Sequence, residues 1–127
     1  MPHNLNIVLV EPEIPMNTGT IGRLCLATGA TLHLIEPLGF EINDTKLKRA
    51  GLDYWKFVNF KIYPNLNTFL QKLQPETPKI FLSTKGQSEF FAHSFQKNSY
   101  IFFGSETRGL PKSLLESNQE ATFRIPQ

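Results

Sequence analysis

The sequence predicts a single α/β domain built on a parallel sheet. Three observations carry this: apolar runs of strand length recur along the chain, amphipathic stretches at helical spacing separate them, and polar or glycine-bearing loops follow three of the runs. The 127 residues contain 40% apolar and 19% charged side chains, a balance that excludes global disorder. No repeat, low-complexity tract or linker divides the chain, so one domain is expected over residues 1–127.

The first run, Leu5 to Val10, suits a buried strand, and Pro12 and Pro15 break it. Asn17 or Thr18 can then cap a helix whose apolar positions Ile21, Leu24, Cys25 and Thr28 recur at helical spacing, with Gly29 as its stop. Thr31 to Ile35 reads as the second strand, completing a strand–helix–strand opening. Pro37-Leu38-Gly39 opens a loop, and Thr45 to Ala50 has the composition of a short basic helix ended by Gly51. A strand over Val58 to Ile62 follows. Leu66, Phe69, Leu70 and Leu73 form a further amphipathic helix, closed by Pro75 and Pro78. Ile80-Phe81-Leu82 and Tyr100 to Phe103 are strands, a helix starts at Pro111 and runs to about Glu116, and Thr122 to Ile125 is the last strand.

In open α/β sheets, ligands bind beyond the carboxyl ends of the strands. The loops at 11–19, 83–88 and 104–110 are therefore the candidate site. The first has Asn17-Thr18-Gly19 at an expected helix start, where free amides would present an anion site, with Arg23 one turn after Gly19. The third has Glu106-Thr107-Arg108 between Gly104 and Gly109, glycines that permit positive φ or close backbone approach to a ligand. A routine cap and a tight polar turn explain the same residues without a ligand.

Other chemistries fail on spacing. There is no G-x-G-x-x-G, and Leu110-Pro111 stand where a phosphate loop after Gly104-x-x-x-x-Gly109 requires Lys and Ser or Thr. His3, His33 and His93 have no metal-ligand spacing with Cys25, so no metal is expected. His33, between Leu32 and Leu34, reads as a structural histidine, and Cys25 as a small core residue. A single cysteine excludes an intramolecular disulfide framework and points to a reducing compartment. No apolar run approaches the ~20 residues needed to span a bilayer. A soluble cytoplasmic protein, without membrane contact, is expected.

The formal net charge is only +2, but residues 46–61 alone carry +4, from Lys46, Lys48, Arg49, Lys56 and Lys61 against Asp53. Tyr54, Trp55, Phe57 and Phe60 are interleaved with these cations, a combination that suits RNA phosphates and bases. From this stretch alone, a solvated basic helix followed by an ordinary strand is the simpler account.

At these same residues the chain resembles a known family. Glu11-Pro12-Glu13-Ile14-Pro15, Asn17-Thr18-Gly19 and Arg23-Leu24-Cys25 look like the first motif of the SPOUT (trefoil-knot) RNA methyltransferases. Arg49-Ala50-Gly51-Leu52-Asp53-Tyr54, Leu82-Ser83-Thr84-Lys85-Gly86, Phe103 to Pro111 and Arg124-Ile125-Pro126 continue the match in order, over essentially the whole chain. They narrow it to the small single-domain subfamily that 2′-O-methylates the wobble nucleotide of tRNA, a cytidine or a modified uridine. The resemblance implies a knotted parallel α/β sheet, a homodimer, and S-adenosylmethionine held mainly by backbone groups. Carried over by position, Leu82, Thr84, Gly86, Gly104, Glu106, Gly109 and Ile125 would bind that cofactor. Arg23, supported by Asn17, would assist loss of the ribose hydroxyl proton, while Lys46, Lys48, Arg49 and Arg108 would meet the anticodon loop. Family members continue past Ile-Pro with a loop and helix that thread the knot, and this sequence stops at Gln127, so those parts are expected to be missing. The alternative is a non-catalytic RNA-binding or dimerisation module.

Overall fold

The computed structural model describes residues 5–40, 57–83, 88–89, 98–118 and 122–124. The elements in order are β1 (Asn6–Val10), α1 (Pro15–Thr28), β2 (Thr31–Ile35), β3 (Phe60–Tyr63), α2 (Leu66–Gln71), β4 (Lys79–Ser83), β5 (Ser88–Glu89), β6 (Tyr100–Phe103), α3 (Lys112–Ser117) and β7 (Thr122–Arg124). The strands form one seven-stranded sheet in the order β3-β2-β1-β6-β4-β7-β5. Every recorded strand pairing in it is parallel. The α/β fold class and parallel sheet read from the sequence are thus the observed ones.

A parallel sheet is stable only when both faces are covered. The alternation of β1 shows how this sequence does it. Leu9 points to one face, into a cluster with Cys25, Ala30, Leu32, Leu34 and Val58. Val8 and Val10 point to the other, into a cluster with Ile35, Phe69, Phe81, Phe102 and Leu110. Phe69, Phe81 and Phe102 are fully buried, each contributing roughly 1.5–3 kcal/mol by the usual transfer scale.

Four expectations shift. The buried stripe of α1 is Thr18, Gly19, Gly22 and Cys25, small residues that let the helix lie close to the sheet. Leu24, expected inward, is 60% exposed. The helix begins at Pro15, not at Asn17 or Thr18, because proline is pre-set for a first helical position and lacks the amide that would need a partner there. Its other end is as expected: Gly29 adopts φ +78° and the amides of Gly29 and Ala30 close on the Cys25 carbonyl. β3 begins two residues later than read, with Val58 buried just before it. β5 includes Ser88, expected in the loop at 83–88; its two residues have no apolar signal, and β7 is its partner. The basic helix expected at Thr45 to Ala50, and Ile125 at the end of the last expected strand, lie outside the described residues.

His33 is 4% exposed and bonded at both ring nitrogens, to the Tyr63 hydroxyl at 3.0 Å and Asn6 Oδ1 at 2.9 Å. Asn6 Oδ1 can only accept, so Nε2 carries the proton and Nδ1 accepts from Tyr63. Burial, with the Lys61 charge adding to it, pushes the imidazole pKa down to about 4. The residue is a neutral strut joining β1, β2 and β3, as its strand position implied.

Candidate functional site

β1 and β6 are adjacent and parallel, yet their chains leave in opposite directions. After β1 the chain enters α1, which packs Cys25 into the cluster around Leu9; after β6 it reaches α3, whose Leu114 and Leu115 pack against the cluster around Val8. A crevice is the geometric result where neighbouring strands diverge in this way. It is present as a cleft of about 820 Å³ at the strand ends. Val10, Leu82, Phe103, Leu110 and Leu115 give it an apolar wall, and Glu11, Glu106, Thr107 and Arg108 a polar rim.

The loop after β6 is held in a narrow shape. Ser105 and Gly109 form an antiparallel bridge, with Gly109 N–H donating to the Ser105 carbonyl at 2.9 Å and Arg108 N–H to Ser105 Oγ at 3.2 Å. Gly109 takes φ +71°, open to glycine without cost. Gly104 faces the Gly109–Leu110 backbone so closely that a Cβ would overlap it. On the β1 side, Glu11 adopts φ +53°, an uncommon conformation for a residue with a side chain, at the mouth of the cleft.

The two loops are laced together by carboxylates. Glu106 accepts from Glu13 N–H at 2.7 Å through Oε1, and through Oε2 from Ile14 N–H at 3.1 Å and Asn17 Nδ2 at 3.4 Å. In return, Glu13 Oε1 accepts from Thr107 N–H at 2.9 Å and Thr107 Oγ1 at 2.7 Å. These bonds from Thr107 hold the Glu13 carboxyl below its ordinary range, with Arg108 adding to the effect. Arg108 pairs with Glu11 across 3.3 Å. The positive end of α1 is therefore already neutralised by Glu106. The free-amide anion site expected at Asn17-Thr18-Gly19 is absent, since Asn17 and Thr18 N–H both donate to the Ile14 carbonyl.

Of the expected cofactor residues, Leu82, Gly104, Glu106 and Gly109 line this one cleft, as does Arg108. Thr84, Gly86 and Ile125, and the basic Lys46, Lys48 and Arg49, lie outside the described residues. Asn17 reaches the site through Glu106. Arg23 is exposed on α1 and does not line the cleft. Glu11, Glu13 and Thr107 fall within the loops expected to form the site, at 11–19 and 104–110, but their individual roles are not legible in the sequence. One signal existed: Pro12 and Pro15 lack N–H groups, leaving Glu13 and Ile14 as the donors of that stretch, and both go to a single carboxylate. Among the described residues, no group of three His, Cys, Asp or Glu could hold a metal ion. Cys25 is buried, and burial pushes its thiol up to about 11, which keeps it protonated at neutral pH.

Comparison with known proteins bears on the family and the fold. A model of the SpoU rRNA Methylase family matches residues 4–127. A tRNA (cytidine(34)-2′-O)-methyltransferase of Yersinia pestis is 50% identical over 127 residues, covering 96% of this chain and 78% of that protein. One of Escherichia coli K12 is 49% identical over 124 residues, with the same coverage of each. A solved structure concerned with 2-OH methylation of C/U34 on tRNA superposes over 100% of this chain and 82% of its own, at TM-score 0.93 and 40% identity. A SpoU methyltransferase of Streptomyces viridochromogenes in complex with AdoMet shares the fold, at TM-score 0.81 and 21% identity, covering 100% of this chain and 50% of its own.

Proposed function

This chain belongs to the SpoU rRNA methylase family, and from that premise we propose that it 2′-O-methylates the wobble nucleotide of tRNA, C34 or U34, using S-adenosylmethionine. The observation that carries the proposal is the cleft at the ends of β1, β4 and β6, in a chain that keeps 49% identity to a methyltransferase acting at that nucleotide.

The cleft suits the cofactor on its own chemistry. Gly104 lets the Gly109–Leu110 backbone close on it, Gly109 opens onto free space at the cleft, and Val10, Leu82, Phe103 and Leu110 offer an apolar surface for a purine and a thioether chain. Leu82, Gly104 and Gly109 would hold it, joined by Thr84, Gly86 and Ile125. When bound, S-adenosylmethionine supplies a methyl group on an activated sulfonium leaving group. The protein's remaining tasks are alignment of the ribose hydroxyl and help with its proton. A guanidinium cannot serve as a base. Arg23 instead stabilises the developing alkoxide, directly or through an RNA phosphate, and Asn17 holds the first turn of its helix to Glu106.

The exposed face of α1 supports a homodimer. Met16 and Leu24 are 58% and 60% exposed beside Arg23, an apolar surface that a second copy would cover while bringing Arg23 under a shared roof. Among the described residues no helix is long and apolar enough to cross a membrane, and the cytoplasm, where tRNA is modified, is the proposed location.

Arg23→Ala should lower methyl transfer to tRNA at least ~100-fold while S-adenosylmethionine affinity stays within a few-fold. Near-normal turnover would remove Arg23 from the mechanism. Binding of tRNA without any binding of S-adenosylmethionine by the parent chain would favour the non-catalytic module instead. For the RNA contact, neutralising Lys46, Lys48 and Arg49 together should make the log–log salt dependence of tRNA affinity shallower by about two units, at ~0.7 per single-stranded phosphate. An unchanged slope in a stably folded variant would remove the three cations from the interface.

A further inference from the structure

The bonds between Glu13, Glu106 and Thr107 join two segments that the fold otherwise sends apart. One is the loop after β6, which forms one wall of the cleft; the other is the entry to α1, the helix that carries Asn17 and Arg23. Each segment supplies a carboxylate that accepts from the backbone of the other, over a sequence separation of 93 residues for Glu13 and Glu106. Reciprocal bonds of this kind fix orientation as well as distance, since two separated attachment points prevent rotation about either.

The entry to α1 is also backed from the opposite side. Gly39 N–H donates to the Pro12 carbonyl at 2.9 Å, and Gly39 lies so close to the Glu13 backbone that a Cβ there would stand 2.8 Å from the Glu13 Cα. Glu13 is thus held between the loop after β2 and the loop after β6. A shift of the loop after β6 has no soft joint at Glu13 in which to dissipate, and it is passed to the first turn of α1 through Ile14 and Asn17.

We infer that Glu13 and Glu106 are positioning residues that make occupancy of the cleft set the pose of α1, and with it Arg23. The inference rests on the cleft being the S-adenosylmethionine site. Glu13 does not line the cleft, so its removal separates coupling from binding. It also reassigns Glu106: its carboxylate is spent on Glu13, Ile14 and Asn17, not held in reserve for the cofactor.

The test compares the parent chain with Glu13→Ala, which deletes the acceptor of both Thr107 bonds, and Glu13→Gln, whose amide oxygen can keep them. S-adenosylmethionine is titrated into each, and backbone hydrogen exchange over the first turns of α1 is followed with and without it. In the parent and in Glu13→Gln, the cofactor should slow exchange there about fivefold or more, the lower end of typical coupling between sites. In Glu13→Ala, where the Glu106 bonds to the amides of residues 13 and 14 and to Asn17 remain, it should slow exchange by only about half the parent's factor, with cofactor affinity within about threefold of the parent. Methyl transfer to tRNA by Glu13→Ala should fall about tenfold in kcat with little change in KM for S-adenosylmethionine, the signature of a misplaced group. Thr107→Val, which deletes only the hydroxyl donor, should show a milder form of the same decoupling and serves if Glu13→Ala does not fold. Equal protection of α1 in parent and Glu13→Ala, or binding by the parent without protection, overturns the inference. Failure of the parent to bind S-adenosylmethionine at all overturns the assignment of the cleft, and is read separately as the absence of any titration.

Discussion

The starts of α1 and α2 solve the same problem in opposite ways. Asn65 caps α2 from the adjacent position, its Oδ1 accepting from Thr68 N–H at 2.8 Å, so the whole device occupies four residues of sequence. At α1 the neighbouring residue, Ile14, offers no side-chain cap, and the acceptor is Glu106. A local cap fixes only its own helix. A cap borrowed from a distant loop makes the helix answer to that loop, and here the loop borders the cleft.

Substitutions can break this contrast from either side. The largest effect is expected from Gly104→Ala, whose new Cβ must displace the Gly109–Leu110 backbone and with it the turn that carries Glu106. Thermal or urea unfolding should show a loss of about 3 kcal/mol, the upper range for overpacking, together with loss of S-adenosylmethionine binding. A variant of parental stability would show that the loop has slack. Asn65→Ala should cost about 1 kcal/mol, the usual value of a cap, and leave cofactor binding and methyl transfer as they were. If it disturbed the site, α2 would be coupled to the cleft after all, and the contrast would fail.

The smallest effect is one of pH. Glu13 has a folded pKa below its ordinary value, chiefly because of the Thr107 hydroxyl and amide. Such a group contributes stability that is present above its unfolded pKa and is lost as the pH falls through the folded one. Acidification below about 4.5 should therefore lower the protection of the amides at the start of α1, taken as their exchange relative to the intrinsic rate at each pH. The amide of Asn65 does not titrate, so the start of α2 should keep its protection over the same range until global unfolding intervenes. Parallel loss at both ends would show that the carboxylates are not what holds α1.

Sequence reading captured what is encoded locally. β1, β4 and β6 carry continuous apolar runs, and β2 one interrupted only by His33, because strands buried on both faces must be largely apolar, and Gly29 ends α1 because a left-handed residue is needed there. Gly104 and Gly109 were legible as a loop shaped for close approach, and His33 as a strut. The misreadings share a cause. Asn17 has the residue type of a cap but sits inside the first turn, since its helix is capped across the fold. Leu24 has the character of a core residue, but glycines and Thr18 occupy the face that meets the sheet. Glu13 and Thr107 have nothing in their neighbourhoods to announce each other. Their pairing depends on β1 and β6 lying side by side, a fact about topology that no local window contains.

The strand order also bears on how the chain can be assembled as it is made. β6 lies between β1 and β4, and β7 between β4 and β5, so in each case the later strand fills a slot whose two walls precede it in the chain. A ribosome releases the walls first. β1, β2 and β3 can zip together once Tyr63 has emerged, but the free side of β1 has no partner until Tyr100 to Phe103 appears, and β4 waits just as long. During that interval the nascent chain displays unpaired strand edges rich in Val, Ile, Leu and Phe, the kind of surface that recruits other chains. The sheet that shapes the cleft is therefore complete only once Thr122–Arg124 has been synthesised, and the burden of a clean start falls on whatever shields those edges in the meantime.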